Sequence, residues 1–498
     1  MQSNKNIRHN QLLLQLLLWI FIFVAQAAPA QSHTPSASKD TLSFKALIDS
    51  LSRRYNLSFA YDALAISDDS LFCVDFSRAP DKRWIASLFE NDSVEVSFIG
   101  SQVIIGRLQG APSLPEVINI YGLVKDAAIN EALPMVNIAV EGEPLGTSTN
   151  DAGAFEFKLP RSFQGRRLVF SSLGFANIYM EVPANDTLVD IGMKSLSIPL
   201  PEVQVMYRDP MKIMMEVRQK IHGNYSLERF LLTGFFRETI RQNGKYVDVS
   251  EAVVEIVKPP YNNALDAERV RFVKGRKGRE LSEMDMVQFK LVGGPYHFSQ
   301  LDVVRHGDFM PDENGLSDFR YSFNGMDIEF GQLVYCIGFK PYSDIEGINY
   351  VGEIRVESES MALVSIDFQM TGQSVRRSRS HLIKRDARRF KTRPFYARYY
   401  VQYRPWNDIW VISKVRGEVS VRVFDRSERE RSVFETVSEM IISDFSIADH
   451  RIRIPATESF RADYILSEHV GDFDPDFWKY YNVIKADEAL ETVFNKKE

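Results

Sequence analysis

Cysteine is nearly absent: Cys73 and Cys336 are the only two in 498 residues, too few for a disulfide framework and without the spacing of a metal site. Each is expected to act as a small buried hydrophobe. The motifs that mark an enzyme are missing as well. No G-x-S-x-G elbow, Walker loop, dinucleotide fingerprint or C-x-x-C occurs, and none of the eight histidines stands in an H-x-x-E or H-E-x-x-H pattern. The expectation is a chain that is not an enzyme and calls for no cofactor and no metal. Nor is there an excess of positive charge: 60 Lys and Arg stand against 66 Asp and Glu, which removes the basic field that gathers nucleic acid. After residue 30 no run reaches the roughly 18 apolar residues of a membrane-crossing helix.

What is present is an ordinary folding composition, 45% hydrophobic and 25% charged, over a length that predicts about three or four units. Residues 1–30 stand apart. A polar start with Lys5 and Arg8 leads into the apolar run Leu12 to Val24 and then the small-residue run Ala25 to Ala30, the three-part layout of a secretory signal peptide. Export is the expectation. The alternative, a retained anchor, has an apolar run shorter than the roughly 20 residues a spanning helix needs, and no lipoprotein cysteine follows it.

In residues 40–108, Phe44, Leu47, Ile48, Leu51 and Tyr55 recur on one helical face. Apolar runs at Leu57 to Tyr61, Leu71 to Phe76, Trp84 to Phe89, Val94 to Ile99 and Gln102 to Ile105 then predict strand, strand, helix and hairpin, a small two-layer α+β domain. With Phe44, Leu47-Ile48, the Tyr55 to Asp62 turn and Val103-Ile104-Ile105, this unit resembles the short N-terminal domain shared by secretins and TonB-dependent receptors. The resemblance implies a periplasmic contact module rather than a catalyst.

After a Pro- and Gly-containing linker at 109–116, residues 117–195 show short strand candidates at Ile118 to Val124, Val136 to Val140, Phe155 to Phe157 and Leu168 to Phe170, with a tight turn at Asn150 to Gly153. An Ig-like β-sandwich is predicted. Gly122-x-Val124-x-Asp126, Pro134, Gly146 to Asn150 with Gly153 and Phe155, and Phe170 to Phe175 resemble the carboxypeptidase regulatory-like domain, common in exported Bacteroidetes proteins. Asn150 stands where that family usually has Asp. The family name brings no peptidase activity with it.

A second linker, 196–208, precedes residues 209–498. Asp209-Pro210 predicts a helix start, Met211, Met214 and Met215 its packing face, and Gly223 its stop. Phe235 to Gln242, Asn243-Gly244 and Lys245 to Val257 read as a hairpin with a type I′ turn. Strand candidates follow at Phe330 to Phe339, Tyr350 to Glu357, Ala362 to Met370, Tyr396 to Tyr403, Ile409 to Val415, Glu418 to Phe424 and Val433 to Ile442. The expected whole is a multidomain, mainly β chain: a small α+β domain, an Ig-like β-sandwich, then a large antiparallel β-rich, half-barrel-like α+β domain. Val351 to Val356 with Met361 to Phe368 resembles the strand ladder of lipoprotein-carrier-like half-barrels. Gly234 to Glu238, Tyr246 with Ser250 to Val254, and Asp476-Phe477-Trp478 with Tyr481-Asn482 resemble an uncharacterised Bacteroidetes region that follows the regulatory-like domain. An outer-membrane barrel is the competing architecture.

Weaker features remain. Asp472, Asp474 and Asp476 are spaced like calcium ligands, but Phe477 and Val483 break the loop pattern. His297 and His306 lack a third ligand. Ser374 to Arg393 is strongly basic, and Arg376, Arg377, Arg379, Lys384, Arg385, Arg388 and Arg389 are candidates for contact with an anionic lipid or lipopolysaccharide surface, against the plainer reading of a solvated loop. Arg271, Lys274, Arg276, Lys277 and Arg279, interleaved with glycine, read as a second basic loop. The functional expectation is a non-catalytic binding or scaffolding protein of the periplasm or outer membrane with an envelope protein partner. A lipid or lipoprotein carrier and an envelope-polymer hydrolase are the alternatives.

Overall fold

The computed structural model describes residues 40–495 apart from 56, 62–65, 67–69, 77–81, 90–93, 100–101, 108–116, 197–208, 264–265, 280–289, 292–293, 343–348, 386–389, 449–451, 471–477 and 479–480. The signal-peptide pattern, linker 109–116, nearly all of linker 196–208, Arg388, Arg389, and the Asp472, Asp474 and Asp476 turn lie outside the described residues. Two compact units divide between Leu114 and Pro115.

The first unit contains β1 (Asp40–Ser43), α1 (Phe44–Tyr55), β2 (Ser58–Tyr61), β3 (Leu71–Val74), α2 (Lys82–Phe89), β4 (Val94–Ile99) and β5 (Gln102–Arg107). Strand β5 pairs parallel with β2 and antiparallel with β4, and β1 pairs with β3. The spacing of Phe44, Leu47, Ile48 and Leu51 puts all four on the buried side of α1, where the Phe44 ring meets Tyr61 edge-on at 4.8 Å. Cys73 corrects an expectation: it is exposed. The pleat turns Val74 into the core and therefore its neighbour outward.

The second unit opens with a sandwich of β6 (Val117–Asp126), β7 (Asn137–Val140), β8 (Gly146–Ser148), β9 (Ala154–Pro160), β10 (Arg167–Ser171), β11 (Ile178–Glu181) and β12 (Thr187–Met193). Its sheets run β12-β6-β9 and β11-β10-β7-β8. Alternate residues Ile118, Ile120, Val124, Phe155, Phe157 and Leu159 fill the space between them. The turn after β8 closes as its residues predict, with Asn150 Oδ1 accepting from Ala152 N at 3.0 Å and Ala154 N at 2.9 Å.

The rest is α3 (Pro210–Gln219), α4 (Ile221–Asn224), β13 (Phe230–Gln242), β14 (Lys245–Lys258), β15 (Arg269–Arg279), β16 (Lys290–Leu291), α5 (Gly294–Ser299), α6 (Val303–His306), β17 (Phe319–Glu329), β18 (Gln332–Pro341), β19 (Tyr350–Glu357), β20 (Leu363–Met370), α7 (Gly372–Arg377), α8 (Arg379–Leu382), β21 (Ile383–Arg385), β22 (Phe390–Trp406), β23 (Ile409–Asp425), β24 (Arg431–Ile447), α9 (Leu466–His469) and α10 (Glu488–Asn495). Ten strands form one antiparallel sheet in the order β15-β14-β13-β24-β23-β22-β20-β19-β18-β17. Among the described residues β15 and β17 do not pair with each other, so the sheet stays open where a membrane barrel needs closure. The mainly β, multidomain architecture is as expected.

Several local readings change. Asp209 caps α3, accepting from Met211 N at 3.0 Å, and Pro210 is the first helical residue. Helix α3 nevertheless ends at Gln219, and Gly223 lies inside α4. The type I′ turn forms, with Asn243 and Gly244 both at positive φ, between strands longer than expected. Phe330 and Gly331 form a turn rather than a strand start, again at positive φ. Ile409 to Phe424 is one continuous strand. Strand β17 carried no expectation, and the segment read as a second basic loop is strand β15. Two of its charges are matched in register by β14: Arg271 lies opposite Glu255 and Arg276 opposite Glu251, ion-paired in each case.

Candidate functional site

Both faces of the large sheet carry packing partners at strands β22 and β23. On one face the odd-numbered Val401, Tyr403 and Val415 pack with α3, α5 and α6 in the main core. Even-numbered neighbours on β22 and β23 point the other way, toward the sandwich. There Lys414 Nζ donates to Met135 O at 3.0 Å and Ser148 Oγ at 2.5 Å. Arg404 donates to Leu145 O at 3.5 Å and to Pro144 O, and Arg416 pairs with Asp151 at 3.0 Å. Gly146 belongs to this fit, since a Cβ on it would stand 2.7 Å from Arg404 Nη1. Burial presses the Lys414 ammonium down to about 7, against the upward pull of Glu439.

The C-terminal tail fastens the same joint. Asn482 accepts from Lys158 N at 2.7 Å and donates to Lys158 O at 3.0 Å, and Lys158 Nζ reaches Trp478 O at 2.9 Å. Asn150 Nδ2 donates to Lys485 O at 2.9 Å, a bond that the carboxylate of an Asp cannot make. Arg237, buried against Glu251, donates to Ile484 O. Of the residues singled out by sequence, Arg237, Glu251, Trp478 and Asn482 therefore hold the tail against sheet and sandwich.

Under the helical face lies a cluster of charges far from solvent. Asp302 accepts from Tyr261 and Tyr403, each at 2.7 Å, and pairs with Lys258 at 2.9 Å. Glu268 accepts from Lys258 at 3.3 Å, Arg305 at 3.0 Å and Gln300 at 2.6 Å. Arg305 also donates to Pro260 O at 2.8 Å and to Asp266 O, and Tyr225 donates to Leu363 O at 2.7 Å. Lys258, Glu268, Asp302 and Arg305 are each at most 4% exposed. Burial alone would raise both carboxyls, but the Lys258 charge and the donated hydrogen bonds hold Asp302 and Glu268 below their ordinary values. No sequence pattern announced this cluster. Every member has a partner, and none lines a pocket described below.

Beside it opens a cavity of about 720 Å³ between the segment 301–319, α3 and the strands β19 and β20. Phe309, Phe319, Tyr350 and Phe368 provide aromatic wall, with the Phe309 ring 4.9 Å from Phe368 and 5.6 Å from Tyr350. The polar lining is Arg218, Asp308, Asp312, Ser317 and Asp318. Asp312 is occupied by its own turn, accepting from Asn314 N at 2.9 Å and Leu316 N at 2.7 Å. The side chains of Arg218 and Asp308 form no hydrogen bond or ion pair with any described residue, including each other. Burial raises the Asp308 carboxyl, partly offset by His306. This is the candidate site. A second cavity of about 260 Å³ at the sandwich joint is lined by Arg355, Arg398 and Arg416, but each of these arginines is already matched with a carboxylate, Glu353, Asp367 and Glu418 respectively.

The sequence-predicted residues fall elsewhere. Arg376 and Arg377 end α7 and Arg379 opens α8, all three exposed, while Ser374, Val375 and Leu382 turn inward. The stretch from Ser374 to Leu382 is thus helical and half-embedded rather than a solvated loop. Lys384 and Arg385 lie on β21. His297 reaches Ala462 O at 3.1 Å and His306 stands 3.9 Å from Glu268. Among the described residues no group of three or more His, Cys, Asp or Glu is placed to hold a metal ion. Cys336 is buried as expected, its thiol pushed up to about 11 by burial.

No curated protein matches the chain. A solved structure of a DUF1329 family protein from Desulfovibrio piger is similar at 12% identity, over 48% of this chain and 92% of that one, with a TM-score of 0.20, a likeness that carries no argument. Residues 120–205 match the model of the CarboxypepD_reg-like domain, the sandwich whose β8 and following turn are gripped by Lys414, Arg404 and Arg416.

Proposed function

We propose that this chain is an exported, non-catalytic binding and scaffolding protein of the cell envelope, meeting an envelope protein partner through its N-terminal modules. The observation that carries the reading is the closure of the deep ionic cluster upon itself: charges satisfied by one another and removed from any cavity stabilise a shape and are not aimed at a substrate. The export pattern of residues 1–30 and the contact role implied for residues 40–108 supply the location. The exposed Arg376, Arg377 and Arg379 add a basic face suited to anionic headgroups, each worth on the order of 1 kcal/mol at a charged surface. Packing of α3, α5 and α6 into the sheet favours a binder over a carrier with a deep apolar cavity. The hydrolase alternative is favoured by one observation, the three carboxylates Asp308, Asp312 and Asp318 on one cavity.

Fractionation of the native cell tests the proposal. The protein is expected in the envelope fraction, released by about 1 M salt, where the Debye length falls to about 3 Å, without detergent. Joint replacement of Arg376, Arg377 and Arg379 by alanine should move it to the soluble fraction at low salt. Recovery in the cytoplasm, or retention by membranes until detergent is added, contradicts the proposal.

A further inference from the structure

The candidate cavity is lined by one cation, Arg218, and three carboxylates, Asp308, Asp312 and Asp318, and Arg218 pairs with none of them. Arg218 and Asp308 line the same space, neither side chain has a hydrogen-bonding or ion-pairing partner among the described residues, and the aromatic rings of Phe309, Phe319 and Phe368 form the wall beside them. Arg218 is half-buried, where an unmatched charge is costly to keep, while Asp308 is exposed. Elsewhere in this unit buried charges are paired with care, as Lys258 and Arg305 show. Arg218 projects from the last turn of α3, and Asp308 lies in the turn after the left-handed Gly307, where a Cβ would stand 3.2 Å from Arg218 Nη1. The glycine leaves room for the guanidinium at the cavity wall.

A ligand that completes such a site carries an anionic group for the guanidinium, an ammonium for the carboxylate, and an apolar body for the rings. The volume of about 720 Å³ lies in the usual range for small-ligand pockets, about 300–1,000 Å³. We propose that this cavity binds a small zwitterionic ligand with an apolar body, taking its anionic end on Arg218 and its ammonium on Asp308. The proposal deepens the binding role above and rests on it only in treating the cavity as a site that holds rather than reacts. A short apolar peptide with free termini and an ethanolamine phospholipid share this chemistry.

Calorimetric titration of the mature chain with trileucine, N-acetyl-trileucine, trileucine amide and dihexanoyl phosphatidylethanolamine separates the sources. Trileucine or the phospholipid is expected to bind, and whichever does identifies the source. For the peptide, either cap should weaken binding by about tenfold or more, some 1.4 kcal/mol. Asp308→Asn should remove the effect of acetylation and Arg218→Gln that of amidation, with unchanged melting curves confirming the fold. For the phospholipid, the same two variants should each weaken binding by about tenfold, and the matching phosphatidylglycerol, which lacks the ammonium, should bind no better to wild type than the phospholipid binds to Asp308→Asn. No binding of either ligand at about 1 mM, or binding indifferent to caps, headgroup and variants, overturns the proposal and leaves the envelope role standing. Ligand that binds as described but is recovered cleaved keeps the site and sinks the non-catalytic reading.

Discussion

Replacing Asp302 with alanine is expected to cost about 3–5 kcal/mol of stability, the usual consequence of breaking a buried pair from one side. The carboxylate serves Lys258, Tyr261 and Tyr403 together and caps α6 through Arg305 N at 3.3 Å. Alanine leaves two hydroxyls short of a partner and Lys258 with Glu268 as its remaining counter-ion. Urea unfolding followed by tryptophan fluorescence measures the loss. Glu268→Gln, which keeps the shape, should cost less. The acid limb follows from the same geometry. Because Asp302 and Glu268 lie below their ordinary values of 3.8 and 4.5, the unfolded chain binds more protons as pH falls past those values. Their contribution is complete above about pH 4.5 and is lost as pH drops through the lower folded values. The Asp302→Ala protein should show a shallower acid slope. A loss below about 1 kcal/mol would mean that the cluster does not hold the helical face.

The second large effect is expected at the joint between sandwich and sheet. Arg404→Ala with Lys414→Ala removes buried donors to Pro144 O, Leu145 O, Met135 O and Ser148 Oγ, and truncation of such groups costs about 2–5 kcal/mol. Scanning calorimetry should then resolve an earlier transition for the released sandwich, and protease should cut near 196–208 sooner. Lys414 alone carries a pH signature. Its folded value of about 7 lies below the ordinary 10.5, so the unfolded chain holds more protons between the two. Stability from this site is complete above about pH 10.5 and declines as pH falls through 7. Lys414→Met should flatten that interval. A single unchanged transition in the double variant would show that the tail contacts alone carry the joint.

How far the sequence spoke depends on the kind of signal. The sandwich and the hairpin at Asn243-Gly244 were legible because apolar alternation and turn chemistry are local. Strand β15 was not: eight of its eleven residues are Arg, Lys or Gly, and the glutamates that match two of its arginines lie on another strand. Arg416-Gly417 read as a gap between two strands for a similar reason. Gly417 is needed inside β23 because a Cβ there would stand 2.9 Å from the Phe298 ring of α5, a long-range contact with no trace in the local pattern. The functional residues were harder still. Lys258, Glu268 and the Asp302–Arg305 turn come from separate stretches of chain, as do Arg218 and Asp308, and no spacing rule connects them. The basic residues of 376–379 stood out by composition, which marks exposed charge and says little about cavities.

The central claim, that the chain binds without reacting, is tested most directly by incubating the purified protein with the native envelope fraction and counting new reducing ends and amino groups over time. The account predicts no release above that of heat-denatured protein. Time-dependent release by the wild type that disappears in Asp308→Asn would contradict it.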